Sequence, residues 1–212
     1  MQVSVERLRL YLVADPDIAS GDLVDCIRSA IGGGATCVQL RCKTATDRQL
    51  AHLARRVLGI CEPHGIPMIV NDRIDIALAV GAHGVHLGID DLSIEDARRL
   101  GGPEFAIGYS PESDFDIAHA AAQGATYLGI GPFASTRTKL DAGSPIGATE
   151  FARRRRLTTL PVVAIGGIGA GNARAAIDAG ANGVAVASAI SECADPAEAA
   201  RRLFEATAPD QS

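Results

Sequence analysis

The alternation of apolar runs in this chain predicts an α/β fold, a single (βα)8 TIM barrel. Eight short runs rich in β-branched residues are separated by stretches with helical periodicity, which is clearest over residues 22–31 and 47–61. Such strands pair in parallel, because each crossover helix returns the chain to the same end of the sheet. The predicted strands cover residues 8–14, 36–41, 67–71, 84–88, 105–108, 126–131, 161–166 and 183–187. We expect one domain over residues 1–212, with its core at about 8–205.

A short pattern that recurs along the chain strengthens the strand count. GATCVQL begins at residue 34, GAHGVHL at 81, GATYLGI at 124 and GANGVAV at 180. Each combines a helix-ending glycine with a buried strand. Their separations of 47, 43 and 56 residues equal about two βα units each, so they should be strands 2, 4, 6 and 8. This repetition favours a closed barrel over an open doubly wound sheet, which stays as the structural alternative.

Composition and charge narrow the function classes. The net charge of −5 and the lack of a basic amino-terminal arm argue against a nucleic-acid partner, and we interpret the arginines at 153–156 as a solvated helix face. No apolar run approaches the roughly 18 residues of a membrane span, and the first residues lack a signal-peptide core. We therefore expect a cytoplasmic protein without a membrane partner. The five cysteines include no CxxC pair and indicate reduced thiols rather than disulfides or a zinc site.

Cations follow the second predicted strand. Gln39 and Arg41 are two residues apart, so strand alternation puts both on one face, and Lys43 stands in the loop beyond them. In a barrel of this kind, ligands bind where the strands end. Two cations and an amide at that position suit an anionic ligand. A charged loop with solvated ends is the alternative.

Carboxylates follow the third and fourth predicted strands, as Asp72 and Asp91. Side chains at neighbouring strand ends can share a hard cation, and Mg²⁺ takes few protein oxygens together with water and substrate phosphates. We therefore predict Asp72 and Asp91 as a magnesium pair. Either could instead cap the helix that follows it, because Asp is common at helix starts. His86 has no second histidine at metal-ligand spacing, and we interpret it as a core or hydrogen-bonding residue.

Hydroxyls, cations and glycines follow the last four predicted strands. The fifth strand leads to Ser110, and the sixth to a glycine-proline turn and a loop over residues 134–139. The hydroxyls, arginine and lysine of that loop suit an oxyanion, with a plain polar loop as the alternative. Gly167 follows the seventh strand, and Ala187 and Ser188 follow the eighth. Barrels commonly bind phosphate there, through backbone N–H groups and a helix amino end.

Taken together, seven motifs resemble those of the thiamine-phosphate synthase family in order and spacing. They are QLRCK, VNDR, HLGIDD, GYS, GPFASTRTK, VAIGGI and VASAI, and the resemblance runs from about residue 10 to residue 204. It implies a transferase that joins 4-amino-5-hydroxymethyl-2-methylpyrimidine diphosphate to 4-methyl-5-(2-phosphooxyethyl)thiazole, giving thiamine phosphate and pyrophosphate. It also implies a dissociative reaction, in which pyrophosphate leaves before the thiazole nitrogen attacks. Such a site mainly neutralises the leaving group and positions the nucleophile.

The resemblance also assigns roles by motif. The residues for the pyrimidine diphosphate are Gln39, Arg41, Lys43, Asn71, Ser110 and Lys139, of which Arg41, Lys43, Ser110 and Lys139 are the catalytic candidates. The residues for the thiazole phosphate are Thr136, Thr138, Gly167, Ala187 and Ser188. Asp72 and Asp91 would hold Mg²⁺, the implied cofactor. The implied partners are phosphorylated small molecules, and the sequence leaves open whether the chain forms a homo-oligomer.

Three positions depart from the family pattern and keep two rival functions open. Ile89 stands where relatives usually have Gln, Glu112 where they commonly have His, and Leu140 where a second lysine is frequent. One rival is the thiazole tautomerase of the same superfamily, which uses the histidine replaced here by Glu112 as its acid-base group. The other rival is a non-catalytic barrel that binds a phosphorylated ligand.

Overall fold

Eight parallel strands close into a barrel in the computed structural model, which describes residues 3–138 and 143–208. The strands are β1 (Leu10–Ala14), β2 (Cys37–Leu40), β3 (Met68–Asn71), β4 (Gly84–Leu87), β5 (Ala106–Tyr109), β6 (Tyr127–Ile130), β7 (Val162–Ile165) and β8 (Gly183–Val186). Each strand pairs with the next, and β8 pairs back onto β1. The predicted barrel is confirmed, with every predicted strand within two residues of the observed one, and the open sheet is wrong.

Helices surround the barrel. They are α1 (Leu23–Gly32), α2 (Asp47–Cys61), α3 (Ile74–Val80), α4 (Ile94–Gly101), α5 (Asp114–Gln123), α6 (Gly147–Arg155), α7 (Ala173–Asp178), α8 (Ser188–Ser191) and α9 (Pro196–Ala206), with 3-10 turns at Val5–Leu8 and Glu62–His64. The bounds of α2 match the prediction because Thr46 Oγ accepts the N–H of Gln49, while the Gln49 side chain accepts the N–H of Thr46. In the described part of the chain, no helix has the length and apolar character that crossing a bilayer requires.

The recurring glycine pattern marks the entry to every second strand, as predicted. Its first glycines are Gly34, Gly81, Gly124 and Gly180, whose φ angles are 110°, 76°, 104° and 97°. Positive φ costs glycine little because it lacks a Cβ, so each of these residues ends a helix and turns the chain inward. The strands β2, β4, β6 and β8 begin three residues later in each case.

The strands are buried on both faces, because successive residues alternate between two apolar layers. In β1, Leu10 and Leu12 pack in the large cluster beneath the helices, whereas Tyr11 and Val13 belong to a smaller cluster inside the barrel. The inner layer also holds the polar side chain of Gln39, which is 4% exposed and contacts Tyr11. A polar group is therefore enclosed in the barrel, below the rim where the strands end.

Glycine is required at one inward position of β5. A Cβ at Gly108 would lie 2.2 Å from Tyr127 Cζ and 2.4 Å from His86 Nδ1. Both neighbours are ring atoms in a packed interior, which leaves little freedom to move aside. The missing side chain at residue 108 thus makes room for the two rings.

We expect Gly108→Ala to lower the free energy of unfolding by about 1–3 kcal/mol, because the added methyl overpacks the barrel interior. Gly59→Ala is the matched control, since a Cβ at this exposed position of α2 meets no atom within 4 Å. It should instead stabilise the protein by about 0.5–1 kcal/mol through its better helix propensity. Urea unfolding of the three proteins measures both changes, and equal stability of Gly108→Ala and the parent would refute the packing argument.

Candidate active site

A cleft of about 750 Å³ opens at the carboxyl ends of the strands. Its walls come from the loops after β1, β2, β6, β7 and β8. They include Asp15, Arg41, Thr136, Thr138, Gly167 and Ser188. All of these except Asp15 were predicted to bind a ligand, so the fold brings five predicted residues to one cavity.

Asp15 holds Arg41 in place at this cleft. The two side chains form an ion pair in which the Asp15 carboxylate is 1% exposed and the Arg41 guanidinium 21% exposed. The second Asp15 oxygen accepts the N–H of Asp17 at 3.0 Å, so both oxygens are satisfied. Because a guanidinium has five N–H groups, Arg41 keeps donors for a ligand while its orientation is fixed. Our sequence reasoning did not include Asp15, although its place directly after β1 was a usable signal.

The loop after β6 places the Thr138 hydroxyl against the start of α8, with the Thr136 hydroxyl beside it. Thr138 Oγ lies 3.5 Å from Ser188 Oγ, and Thr136 Oγ accepts the N–H of Thr138 at 3.2 Å. The next predicted residue, Lys139, lies outside the described residues, as does Leu140. Lys139 and Lys43 are the two lysines of the chain.

The chain enters α8 immediately after β8. Ala187 is the N-cap of this four-residue helix, which begins at Ser188. The Ala187 carbonyl accepts the N–H groups of Ile190 and Ser191 at 3.1 and 3.0 Å. The N–H groups of Ser188 and Ala189 precede the first helical hydrogen bonds, so they are the backbone donors that a phosphate could use here.

Gly167 locks the loop after β7 against the loop after β6. Its φ angle is +68°, and a Cβ there would lie 2.5 Å from the carbonyl oxygen of Ser135. The Asn172 side chain bridges two residues of this loop. Its Nδ2 donates to the Gly167 carbonyl at 2.9 Å, and its Oδ1 accepts the N–H of Gly169 at 2.8 Å. Sequence reasoning missed Asn172, whose contacts depend on a fold of the loop that no local pattern indicated.

The two predicted metal carboxylates lie side by side next to the cleft. Burial, and then the neighbouring Asp91 carboxylate, raise the pKa of Asp72 to about 6, while Lys43 and Arg41 act in the opposite direction. Asp91 Oδ2 accepts the N–H of Gly88 at 2.6 Å, and Lys43 Nζ lies 4.0 Å from Asp72 Oδ2. The fold thus brings two acids and two cations together.

Neither carboxylate caps a helix, so that alternative is wrong. The N-cap of α3 is Arg73, and the N-cap of α4 is Ser93, whose hydroxyl accepts the N–H of Asp96. Asp72 instead has a φ of 61°, in the left-handed region that few residues other than glycine adopt. Such strained backbone is found preferentially at binding and catalytic sites.

The acidic pair fits a hard divalent cation. Because the Asp91 carboxylate helps to raise the pKa of Asp72, a cation shared between the two side chains would relieve their repulsion. Over residues 3–138 and 143–208, no group of three or more His, Cys, Asp or Glu side chains has metal-binding geometry. A soft-metal cluster is therefore a poor fit for this part of the chain, whereas Mg²⁺, with few protein ligands, suits a pair.

Polar side chains form the floor below the rim. Gln39 Nε2 donates to Tyr11 Oη at 2.9 Å, and His86 Nε2 lies 2.8 Å from Ser110 Oγ. Asn71 ends β3 beside His86 in the strand register. Burial lowers the pKa of His86 to about 4, so its imidazole is neutral at pH 7. The structure places His86 as a hydrogen-bonding residue, and it brings the predicted residues Gln39, Asn71 and Ser110 to the inner face.

Two departures from the family pattern lie at exposed positions. Ile89 is 47% exposed in the loop that leads to Asp91. Glu112 is exposed in the loop after β5, where its backbone N–H donates to the Asp116 carboxylate at 3.2 Å. Both side chains are therefore accessible to solvent.

Asp72 gives the protein a pH-dependent stability. Its pKa is about 6 in the folded state against 3.8 for the free side chain, so the folded state binds more protons between these values. Below about pH 4 the raised pKa contributes its full amount, up to about 3 kcal/mol, to the free energy of unfolding. This contribution is lost as the pH rises to about 6. Asp72→Asn should lack it, and Asn tolerates left-handed backbone. Urea unfolding at pH 4 and pH 6.5 measures the difference, and parallel pH profiles of the two proteins would contradict this assignment.

Known proteins resemble the chain over nearly its whole length. The sequence profile described as thiamine monophosphate synthase matches residues 10–190. The thiamine-phosphate synthase of Albidiferax ferrireducens is 48% identical over 202 residues, covering 95% of this chain and 92% of the relative. That of Moorella thermoacetica is 44% identical over 197 residues, covering 92% and 94%.

A solved structure agrees with the sequence relatives. Thiamine phosphate pyrophosphorylase from Pyrococcus furiosus superposes with a TM-score of 0.88 at 34% identity, covering 96% of both chains. The profile spans the barrel from β1 into α8, and the likeness holds in sequence and in structure. The chain therefore belongs to the thiamine monophosphate synthase family.

Proposed function

We propose that this chain is a Mg²⁺-dependent thiamine-phosphate synthase. It would condense 4-amino-5-hydroxymethyl-2-methylpyrimidine diphosphate with 4-methyl-5-(2-phosphooxyethyl)thiazole, releasing pyrophosphate. The observation that carries the proposal is the meeting of the Arg41 guanidinium, the hydroxyl loop after β6 and the acidic pair at one rim of a barrel of this family. A transferase that handles two phosphorylated ligands needs these groups together.

The leaving pyrophosphate belongs at the cationic side of the rim. Arg41 is held by Asp15 with donors to spare, and Lys43 approaches Asp72 to 4.0 Å. Asp72 and Asp91 would hold Mg²⁺, which when bound neutralises charge on pyrophosphate oxygens. Arg41, Lys43 and Lys139 would add positive charge there, and this lowers the cost of separating the diphosphate from the pyrimidine methylene carbon.

The thiazole phosphate belongs between the loops after β6, β7 and β8. Thr136, Thr138 and Ser188 supply hydroxyls, while Gly167 and Ala187 let backbone approach a phosphate closely. These loops share a cavity with Arg41. The thiazole nitrogen would therefore be held next to the carbon from which pyrophosphate departs, and orientation replaces the need for a general base.

The direct test incubates the purified protein with both substrates and Mg²⁺ and measures thiamine phosphate and pyrophosphate. We expect equal amounts of the two products, and no pyrophosphate when either substrate is omitted or the metal is chelated. A parallel incubation contains the thiazole carboxylate phosphate that tautomerases isomerise, and its isomerisation, without pyrophosphate release in the first incubation, would make the chain a tautomerase. Saturable binding of the pyrimidine diphosphate without turnover would make it a non-catalytic binding barrel.

We expect Lys139→Ala to lower kcat on the order of a hundredfold, because a positioned cation on the leaving group is lost. Arg156→Ala is the control: it also removes one positive charge, but from the exposed C-cap of α6. It should leave kcat unchanged within about twofold. Steady-state assays of pyrophosphate release compare the three proteins, and an unchanged kcat in Lys139→Ala would remove Lys139 from the site.

A further inference from the structure

A continuous chain of hydrogen bonds crosses the inside of the barrel, here called the lumen chain. It runs from Gln39 on β2 through Tyr11 on β1, Tyr127 on β6 and His86 on β4 to Ser110 after β5. The successive distances are 2.9 Å from Gln39 Nε2 to Tyr11 Oη, 2.7 Å between the two tyrosine hydroxyls, 3.2 Å from Tyr127 Oη to His86 Nδ1 and 2.8 Å from His86 Nε2 to Ser110 Oγ. Side chains from four strands, and one from the loop after a fifth strand, are thereby joined inside the barrel.

The lumen chain is enclosed by the barrel. Tyr11 and Tyr127 are 1% and 0% exposed, and Gln39 and His86 are 4% and 7% exposed. Ser110, at the rim, is half-buried. Buried polar groups without partners are costly, so the enclosed members pair with one another, and Ser110 is the most exposed member of the lumen chain.

Two glycines make space for the lumen chain. A Cβ at Gly108 would lie 2.3 Å from the Tyr127 hydroxyl and 2.4 Å from His86 Nδ1. A Cβ at Gly129 would lie 3.3 Å from His86 Cε1 and 3.6 Å from Ser110 Oγ. The strands β5 and β6 thus leave open the volume in which the imidazole bridges Tyr127 and Ser110.

We infer that the protons of the lumen chain point in one direction, and that His86 is a positioning residue which makes the Ser110 hydroxyl a donor to the ligand. The amide Nε2 of Gln39 can only donate, so Tyr11 Oη accepts from it and passes its own proton to Tyr127. Tyr127 then donates to His86 Nδ1. A neutral imidazole with an accepting Nδ1 carries its proton on Nε2, which donates to Ser110 Oγ.

The protonation states of the members agree with this direction. Burial lowers the pKa of His86 to about 4, and burial raises the pKa of Tyr11 and Tyr127 well above the usual value. The imidazole is therefore neutral and both phenols keep their protons at pH 7. With His86 donating to it, Ser110 can direct its own proton away from the lumen chain, at the rim of the barrel.

The two ends of the lumen chain have opposite polarity. One N–H of Gln39 Nε2 is used by Tyr11, and the carbonyl oxygen of the same side chain remains as an acceptor at the β2 end. Ser110 presents a donor at the other end. This pattern suits an aminopyrimidine, whose amino group donates and whose ring nitrogens accept, and in this respect the inference rests on the proposed function.

Nuclear magnetic resonance of ¹⁵N-labelled histidine tests the direction without reference to activity. The chain has five histidines, and the spectrum of His86→Gln identifies the signals of His86. At pH 7 we expect His86 to be a neutral imidazole protonated on Nε2, and we expect this signature to be lost in Tyr127→Phe. An Nδ1-protonated ring, which would mean that all the hydrogen bonds run the other way, would overturn the inference even if the protein makes thiamine phosphate.

Two substitutions of His86 test its role towards Ser110. The longer amide of His86→Gln can place a donor where Nε2 stands, whereas that of His86→Asn reaches only the place of Nδ1. We expect His86→Gln to keep the KM for the pyrimidine diphosphate within about twofold, and His86→Asn to raise it about tenfold, the cost of one hydrogen bond. The KM for the thiazole phosphate should stay unchanged in both.

The outcomes separate a positioning role from a structural one. If His86 only filled space, both variants would lose stability in urea and neither KM would distinguish Gln from Asn, which would overturn the inference. Calorimetric titration with the pyrimidine diphosphate gives the same comparison without turnover. Failure of the proposed function would appear as absent pyrophosphate release in the parent protein, whereas failure of this inference appears in the histidine spectrum or in equal affinities.

Discussion

The constraint on which this structure depends is the two-residue period of eight strands that are buried on both faces. One face of each strand must match the helices and the other must fill the barrel, so a change of register would exchange the two layers. The inner face also continues past the last strand residue. On β2 this face carries Cys37 and Gln39 in the interior and then Arg41 at the rim, so packing and binding positions follow one another along a single alternation.

The rim combines opposite charges at different depths. Asp15 is fully buried and fixes Arg41, while the Asp72 carboxyl lies beside Asp91 and within reach of Lys43. Asp15 and Asp72 are each close to a cation, Arg41 lines the cleft, and Lys43 is exposed to solvent. Electrostatic preorganisation of this kind lets the protein face an anionic ligand without first rearranging its side chains. The backbone strain at Asp72 shows that the fold maintains this arrangement at some cost.

The helices and strands, and many of the residues at the rim of the barrel, could be predicted from the sequence. β-branched runs, glycine-ended helices and capping residues are local signals, and the strand count and helix α2 follow from them. Arg41, Thr138, Gly167 and Ser188 could be assigned to the strand ends because a barrel collects such positions at one edge. The contacts that fix these residues were not predictable. Tyr11 and Tyr127 lie on strands that are far apart in the sequence, and only the closed barrel brings their hydroxyls to 2.7 Å from each other. That Asp72 does not cap α3 could be seen only in the structure, where Arg73 is the N-cap of that helix.

The scarcity of lysine gives this protein an unusual surface chemistry. Of twenty basic residues, only Lys43 and Lys139 carry a primary amine on the side chain, and Lys43 stands next to the acidic pair. Reagents that acylate amines, whether dyes, cross-linkers or activated resins, will find few other attachment points besides the amino terminus. Apart from the amino terminus, coupling through amines would consequently modify the rim of the barrel at Lys43, whereas thiol reagents would meet Cys193 as the most exposed cysteine of the described residues.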